Sequence, residues 1–280
     1  MAIHRDRYTA YDGPLADSGG WWVIAAHTIK SMVGLLRTKL IIPLLWIGPL
    51  VAAVAVVGEM AVYGQTSSAS APGGGEVTFF LQMQFHSLAV LFMASGAGVV
   101  SHDMRYNTLQ LFFSKPIERW EYTLGKFVGL MVIGSAVTVL PAIGVGGLRT
   151  AILYQHGMAA EIGADAAVGV GLSLMLTALL SLLMIGLSSL TRRTGLVVLT
   201  FIGVLFFPPI ATIILKLTVD NGDIAGLASL QGNLQMLSDL LLTDRQLKIP
   251  AWSPGLLLAV FAGGAYGFHH WRLRALEGVS

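Results

Sequence analysis

The chain has 280 residues, 55% of them hydrophobic and 11% charged, with a formal net charge of +2 and a mean hydropathy of +0.73. A soluble domain of this size carries about 25% charged residues, so the composition excludes a soluble fold and places the chain in a membrane. No cysteine is present, which removes disulfides, thiolate metal sites and cysteine nucleophiles.

The first twenty residues are polar and lack the apolar core of a secretory signal, so the first span is expected to serve as its own insertion signal. Trp21 to Arg37 comes next. His27, Lys30, Ser31, Gly34 and Arg37 recur at helical spacing on one face, while Trp22, Ala25, Ala26, Ile29, Met32, Val33 and Leu36 fill the other. Trp21 and Trp22 suit the headgroup level and Lys30 and Arg37 the polar side, so this helix is expected to lie in the cytoplasmic interface against lipid. The alternative is an ordinary cytosolic helix packed on protein.

Six segments are apolar over the roughly 20 residues that a bilayer crossing takes: Leu40–Tyr63, Phe79–Ser101, Leu124–Gly147, Ala166–Leu190, Leu196–Leu217 and Gly255–Trp271. Lys and Arg set their orientation. With the N-terminus inside, only Arg149, Lys216, Arg245 and Lys248 of the 17 basic residues fall outside, whereas the acids Glu76, Glu161, Asp165, Asp220, Asp223, Asp239 and Asp244 all do. The expected fold is an all-α membrane protein of six transmembrane helices with both termini cytoplasmic. It forms one transmembrane domain over 1–280: a tail and interfacial helix at 1–39, helices 1–5 at 40–217, an extracytoplasmic loop at 218–254, and helix 6 with its tail at 255–280. The small net charge is the remainder of this asymmetry and gives no sign of a nucleic-acid partner.

Two outer stretches are longer than turns. Ser67 to Gly75 is rich in Ser, Ala and Gly and reads as a flexible loop. Within 218–254, Ile224, Leu227, Leu230, Leu234, Leu237 and Leu241 form a stripe opposite Ser229, Gln231, Asn233 and Gln235, which predicts a re-entrant or interfacial helix before helix 6. Pro43, Pro49, Pro141 and Pro208-Pro209 each remove a backbone donor inside a span. Phe206, Phe207, Pro208 and Pro209 are the candidates for a pathway or gating element. Ala94/Gly98, Gly125/Gly129 and Gly263/Gly267 allow close helix approach, within one bundle or between two chains. No internal repeat divides the chain.

Chemistry is sparse. Gly125-Lys126 is not a phosphate cradle, because the cradle's first glycine would have to stand where Trp120 is and Phe127 follows the lysine. No catalytic constellation or metal motif occurs. No carboxylate sits near the middle of a span, which argues against an ion-coupled carrier. Glu59 and His86 lie in outer halves of spans, and His269-His270 at the cytoplasmic end of the sixth. Energy is therefore expected from elsewhere.

The richest stretch runs from Ser101 to Lys126. It carries Asp103, Arg105, Lys115, Glu118, Arg119, Glu121 and Lys126 between two apolar runs, more than a turn needs. The order Asp103, Thr108-Leu109, Leu111-Phe112-Phe113, Ser114-Lys115-Pro116, Arg119-Trp120, Tyr122 and Gly125-Lys126 resembles the first cytoplasmic loop of ABC-2 type permeases. Asp103 stands where Glu is commoner. Asn107 replaces a usual Gly, a mild change because Asn tolerates left-handed backbone.

The resemblance implies a permease subunit of an exporter in the cytoplasmic (inner) membrane of a prokaryote. Such a subunit forms a homodimer or a heterodimer with a second permease and is powered by a separate cytosolic ABC-type ATPase, which binds the ATP and Mg. Residues 102–121 would form the coupling helix that docks on the ATPase. Phe112, Phe113 and Pro116 would be its apolar part, Asp103, Arg105, Glu118 and Arg119 its rim charges, and Thr108 a motif position. Membrane subunits of motility or metalloenzyme-maturation machines share the pattern and remain an alternative. Catalysis by this chain is not expected.

Overall fold

The computed structural model describes residues 19–63, 75–109, 117–153, 159–219, 221–243 and 245–277. Among these residues the regular elements are all helices, with no strand. Five helical stretches are long and apolar enough to cross a membrane: Thr38–Ala55, Val77–Arg105, Arg119–Ala151, Gly163–Ser188 and Thr194–Thr218. They fall on the first five predicted spans.

The amphipathic stretch forms α1 (Gly20–Gly34), ended by Leu35 in extended backbone geometry. Its faces differ from the expected two. Ile24, Ala25, Thr28 and Met32 are buried against protein, while Trp22, Val23 and Val33 are exposed. One apolar sector therefore packs on the bundle, as the alternative of a helix packed on protein expects, and a second stays exposed.

Proline breaks appear where donors are missing. The first span is two helices, α2 (Leu36–Leu45) and α3 (Ile47–Tyr63), joined at Trp46. Pro49 has no N–H to give to Leu45, and the chain turns there. The third span divides into α6 (Arg119–Ser135) and α7 (Val139–Leu153), with Pro141 leaving the Val137 carbonyl without its helical donor. The helix continues beyond the predicted Gly147 end. Arg149, expected outside because it follows the predicted end of the span, is instead buried within α7.

The second span holds a feature with no sequence forecast. Between α4 (Gly75–Leu91) and α5 (Gly98–Arg105), Phe92–Gly96 forms a π turn, closed by the Ala97 N–H donating to Phe92 O at 3.0 Å. Such a turn displaces the ladder by one residue. Ser188 of α8 (Ala159–Ser188) repairs it: its Oγ accepts from Val100 and Ser101 N–H, each at 3.0 Å, and donates to Ala97 O at 2.9 Å.

Helix α8 is the axis of the bundle, with Leu176, Leu180 and Met184 fully buried against Leu88, Leu91 and Phe92 of the second span and Leu130 of α6. A polar knot crosses this core. Gln84 donates to Thr138 O at 2.8 Å and accepts from Ser173 Oγ at 2.7 Å, and the Thr138 and Thr177 hydroxyls meet at 2.7 Å. Every member has a partner, as a membrane interior demands.

The fifth span, α9 (Thr194–Thr218), runs unbroken through Pro208-Pro209. Beyond it α10 (Gly222–Gly226) and α11 (Leu230–Leu242) pack onto α4, α8 and α9. The expected stripe is only half kept. Leu230 and Leu234 are buried, but Ile224 and Leu241 are exposed and Asn233, Ser238 and Asp239 are buried in their place. The reason is a polar clamp: Arg245 holds Asp239 at 2.8 Å and Asp223 at 2.9 Å, and Asp239 also takes the Thr78 hydroxyl at 3.4 Å. The segment caps the bundle end instead of presenting a greasy face to a leaflet.

The predicted sixth span is helix α12 (Ser253–Glu277), 25 residues long. At 1.5 Å per residue it measures about 37 Å, enough to cross. His269, His270, Arg272 and Arg274 in its last turns lower its apolar character, so composition alone does not select it. It packs on α11 and α8, and its far end reaches α6, where His269 Nε2 lies 3.1 Å from Thr123 Oγ1.

Candidate functional site at the basic end of the bundle

The ends of α5 and α8 and the starts of α6 and α9 carry Arg105, Arg119, Lys126, Arg192 and Arg193. At this end the second and third spans are tied by one ion pair. Lys126 Nζ lies 2.7 Å from Asp103 Oδ2, with the two side chains 5% and 15% exposed. The same carboxylate takes the Tyr122 hydroxyl at 2.7 Å and the Thr108 hydroxyl at 3.2 Å. Lys126 also lies over the Tyr122 ring, 5.5 Å from its centroid. Burying either charge alone would cost several kcal/mol, about 3–5 when a partner is removed. The hydrogen-bonded quartet makes the burial tolerable.

Backbone geometry brings Thr108 back onto Asp103. Asn107 has φ 55°, a left-handed turn that Asn accepts more readily than most residues. The Asn-for-Gly change is thus placed where the chain needs that conformation, and it returns Thr108 to within reach of Asp103 O at 3.1 Å.

At the start of α6, Glu118 and Glu121 form a capping box, with Glu118 N–H donating to Glu121 Oε2 at 3.1 Å. Glu121 uses its other oxygen across the fold, accepting from Gly20 N–H at 3.2 Å. One carboxylate therefore fixes the first turns of both α1 and α6. Below it the two helices lie in contact along Gly125 and Gly129. A Cβ at Gly125 would stand 2.6 Å from Trp21 O, and one at Gly129 would stand 2.7 Å from Thr28 Cγ2. Of the three small-residue pairs in the sequence, this one seats a helix. The space beside Gly98 is filled by the His102 ring, and Gly263 and Gly267 face open space.

The predicted docking residues divide. Asp103 is turned inward onto Lys126, Tyr122 and Thr108, so it is no rim charge, and the Thr108 hydroxyl is likewise spent internally. Arg105 and Glu118 are exposed, and Arg119 is half-buried. Phe112, Phe113 and Pro116 lie outside the described residues. Two aromatics left off the expected docking set are exposed here: Tyr106, with the Arg105 guanidinium 5.7 Å from its ring centroid, and Trp120, whose indole donates to Glu118. Of the interfacial set, Trp22 and Lys30 are exposed and Trp21 is half-buried, while the Arg37 side chain lies outside the described residues. Phe206 and Phe207 project from α9, the latter 73% exposed. His86 is exposed and bonds its own helix at Gln82 O, 2.7 Å away; the side chain of Glu59 is outside the described residues.

The architecture is that of a polytopic helical membrane protein, with its second and third spans tied by a buried ion pair and an amphipathic helix docked on the third. The chain belongs to the ABC-2 family of transporter proteins, whose family profile matches residues 22–246. No curated protein matches it.

Proposed function

We propose that the chain is the permease subunit of an ATP-binding-cassette exporter, driven by a separate cytosolic ATPase that seats on residues 102–121. The basic end then faces the cytoplasm, by the excess of Lys and Arg there. The observation that carries this reading is the quartet of Asp103, Lys126, Tyr122 and Thr108. It anchors both ends of the connection on the second and third spans, and Glu121 extends the anchor to α1. A push on the connection is delivered to three elements at once, which a plain turn would not require.

The docking face is drawn from what stays exposed: Arg105, Tyr106, Glu118 and Trp120, with Phe112, Phe113 and Pro116 expected to supply apolar anchors. A functional unit of two permeases fits the cover of the spans. The windows of the first and fifth are only 17% and 22% buried, against 44–56% for the other three. Phe206, Phe207, Pro208 and Pro209 would then face a second copy or a pathway between copies.

The test is copurification of the ATPase with wild type and with Arg105→Glu and Glu118→Lys. These exposed charge reversals are expected to leave the permease folded and to lower ATPase capture and transport-coupled ATP hydrolysis about tenfold, as rim charges on a docking surface do. Full association of both variants, or no association of wild type with an ABC-type ATPase, removes the docking assignment.

A further inference from the structure

Between α1, α5, α6 and the start of α9 lies a cavity of about 430 Å³. It lies beside the Asp103–Lys126 pair at the basic end. Its polar wall holds the imidazoles of His27 and His102, the ammonium of Lys126 with its partner Asp103, and Thr194 and Gly195 at the first turn of α9. Its inner side is closed by Met93 and Val198. The cavity is thus polar toward the aqueous end and apolar toward the membrane.

Its donors are unspent. Lys126 is 5% exposed and its one ion-pair oxygen is Asp103 Oδ2. An ammonium has three protons, so two remain without an acceptor among the described residues. At the head of α9 the N-cap Arg193 makes no side-chain cap. Leu196 and Val197 donate back to Arg193 O, while the Thr194 and Gly195 amides have no acceptor among the described residues. A Cβ at Gly195 would meet nothing within 4 Å, so the space in front of these amides is open. A helix of 25 residues adds the positive end of its dipole at the same wall. Asp103 also lines the cavity and its charge offsets that of Lys126, so the attraction for an anion comes from the α9 dipole and from Arg192 and Arg193 just before it, while Lys126 contributes its remaining N–H donors.

We propose that this cavity binds a phosphate ester at the headgroup level, with Lys126, His27, His102 and the two α9 amides as donors to its oxygens. The apolar inner wall favours an anionic phospholipid as the source of that group, and Arg192 and Arg193, exposed just before α9, would draw such a lipid to the mouth. The inference needs only the membrane placement of the chain and stands apart from the ATPase assignment.

Native mass spectrometry of the full chain released from nanodiscs of equal phosphatidylglycerol and phosphatidylcholine tests it, with a parallel calorimetric titration of soluble glycerol phosphate. Two variants spare the fold. The double change His27→Glu and His102→Glu alters exposed side chains. Thr194→Pro removes one amide at the helix position that best accepts proline, after an Arg193 already in extended geometry. Wild type is expected to retain phosphatidylglycerol over phosphatidylcholine, and retention should fall about tenfold in the charge-reversed variant and measurably in Thr194→Pro. Binding of glycerol phosphate that falls in the same variants supports the same site, filled from water. No preference among lipids together with no soluble binding overturns the proposal, as does binding that survives both variants.

Discussion

At the scale of single residues, Lys126 shows how a motif position can be read for its presence but not for its surroundings. As the last charge of the 101–126 stretch, just inside the predicted span Leu124–Gly147, it carries no mark of its partner in the sequence. It is one of the most buried charges among the described residues, 4% exposed, and it holds Asp103. Charge reversal at Asp103 is therefore a stability experiment before it is a coupling experiment. Asp103→Asn or Lys126→Met alone should destabilise the folded chain by about 3–5 kcal/mol, because each leaves the other charge buried without its partner. The double variant should recover much of that loss, since neutral neighbours of similar size need no pairing. Thermal unfolding of the four proteins in one detergent closes the cycle. Additive losses would mean that the two side chains do not act as a pair. The identity of these residues was legible, because acidic and basic motif positions are visible in a sequence. Their pairing was not, since nineteen or more positions separate Tyr122 and Lys126 from Asp103 and only helix packing brings them together.

Elements were legible to different degrees for one physical reason: apolar length is written in the sequence, and local backbone repair is not. The long spans follow from hydropathy, and the breaks near Pro49 and Pro141 from missing donors. The π turn at Phe92–Gly96 was hidden, because its cost is met by Ser188, a residue nearly ninety positions away. Helix α1 lies between these cases. Its helical period was plain, but the division of its apolar residues between protein and lipid depends on Gly125 and Gly129, whose missing side chains let α1 approach α6. This contact can be broken selectively. Gly129→Leu would drive carbon atoms into Thr28, which stands 2.7 Å from even a Cβ, and should lift α1 without unfolding the spans. Ala25, fully buried at this seam, is the reporter, since the chain has no cysteine of its own. Ala25→Cys should resist maleimide in the parent and react about tenfold faster with Gly129→Leu added, the signature of roughly 1.4 kcal/mol of local opening. An unchanged rate would mean that α1 is held elsewhere.

For the whole molecule, charge asymmetry and helix packing bear on the same question from separate directions. Apolar segments in the sequence predict six crossings and Lys and Arg orient them, yet among the described residues only five helical stretches satisfy length and apolarity together. The sixth rests on where α12 goes. It packs on α11, which is bonded to the head of α4 through Asp239 and Thr78, and it ends beside Thr123 at the head of α6. Those two heads belong to consecutive antiparallel spans, so they lie at opposite ends of the bundle, and α12 must run its full length. A helix that does so beside five membrane-length spans is expected to cross with them, its terminal His and Arg residues then standing in headgroups, where such side chains are tolerated. Six crossings place Lys248 and Arg274 on opposite sides of the membrane. In intact cells Lys248→Cys should react with an impermeant maleimide, and Arg274→Cys only after permeabilisation. If Arg274→Cys were labelled from outside along with Lys248→Cys, α12 would not cross, and the helix would have to pack against the bundle from the outer side. The contact between His269 and Thr123 argues for the crossing, because α6 begins at the opposite end of the bundle from α11.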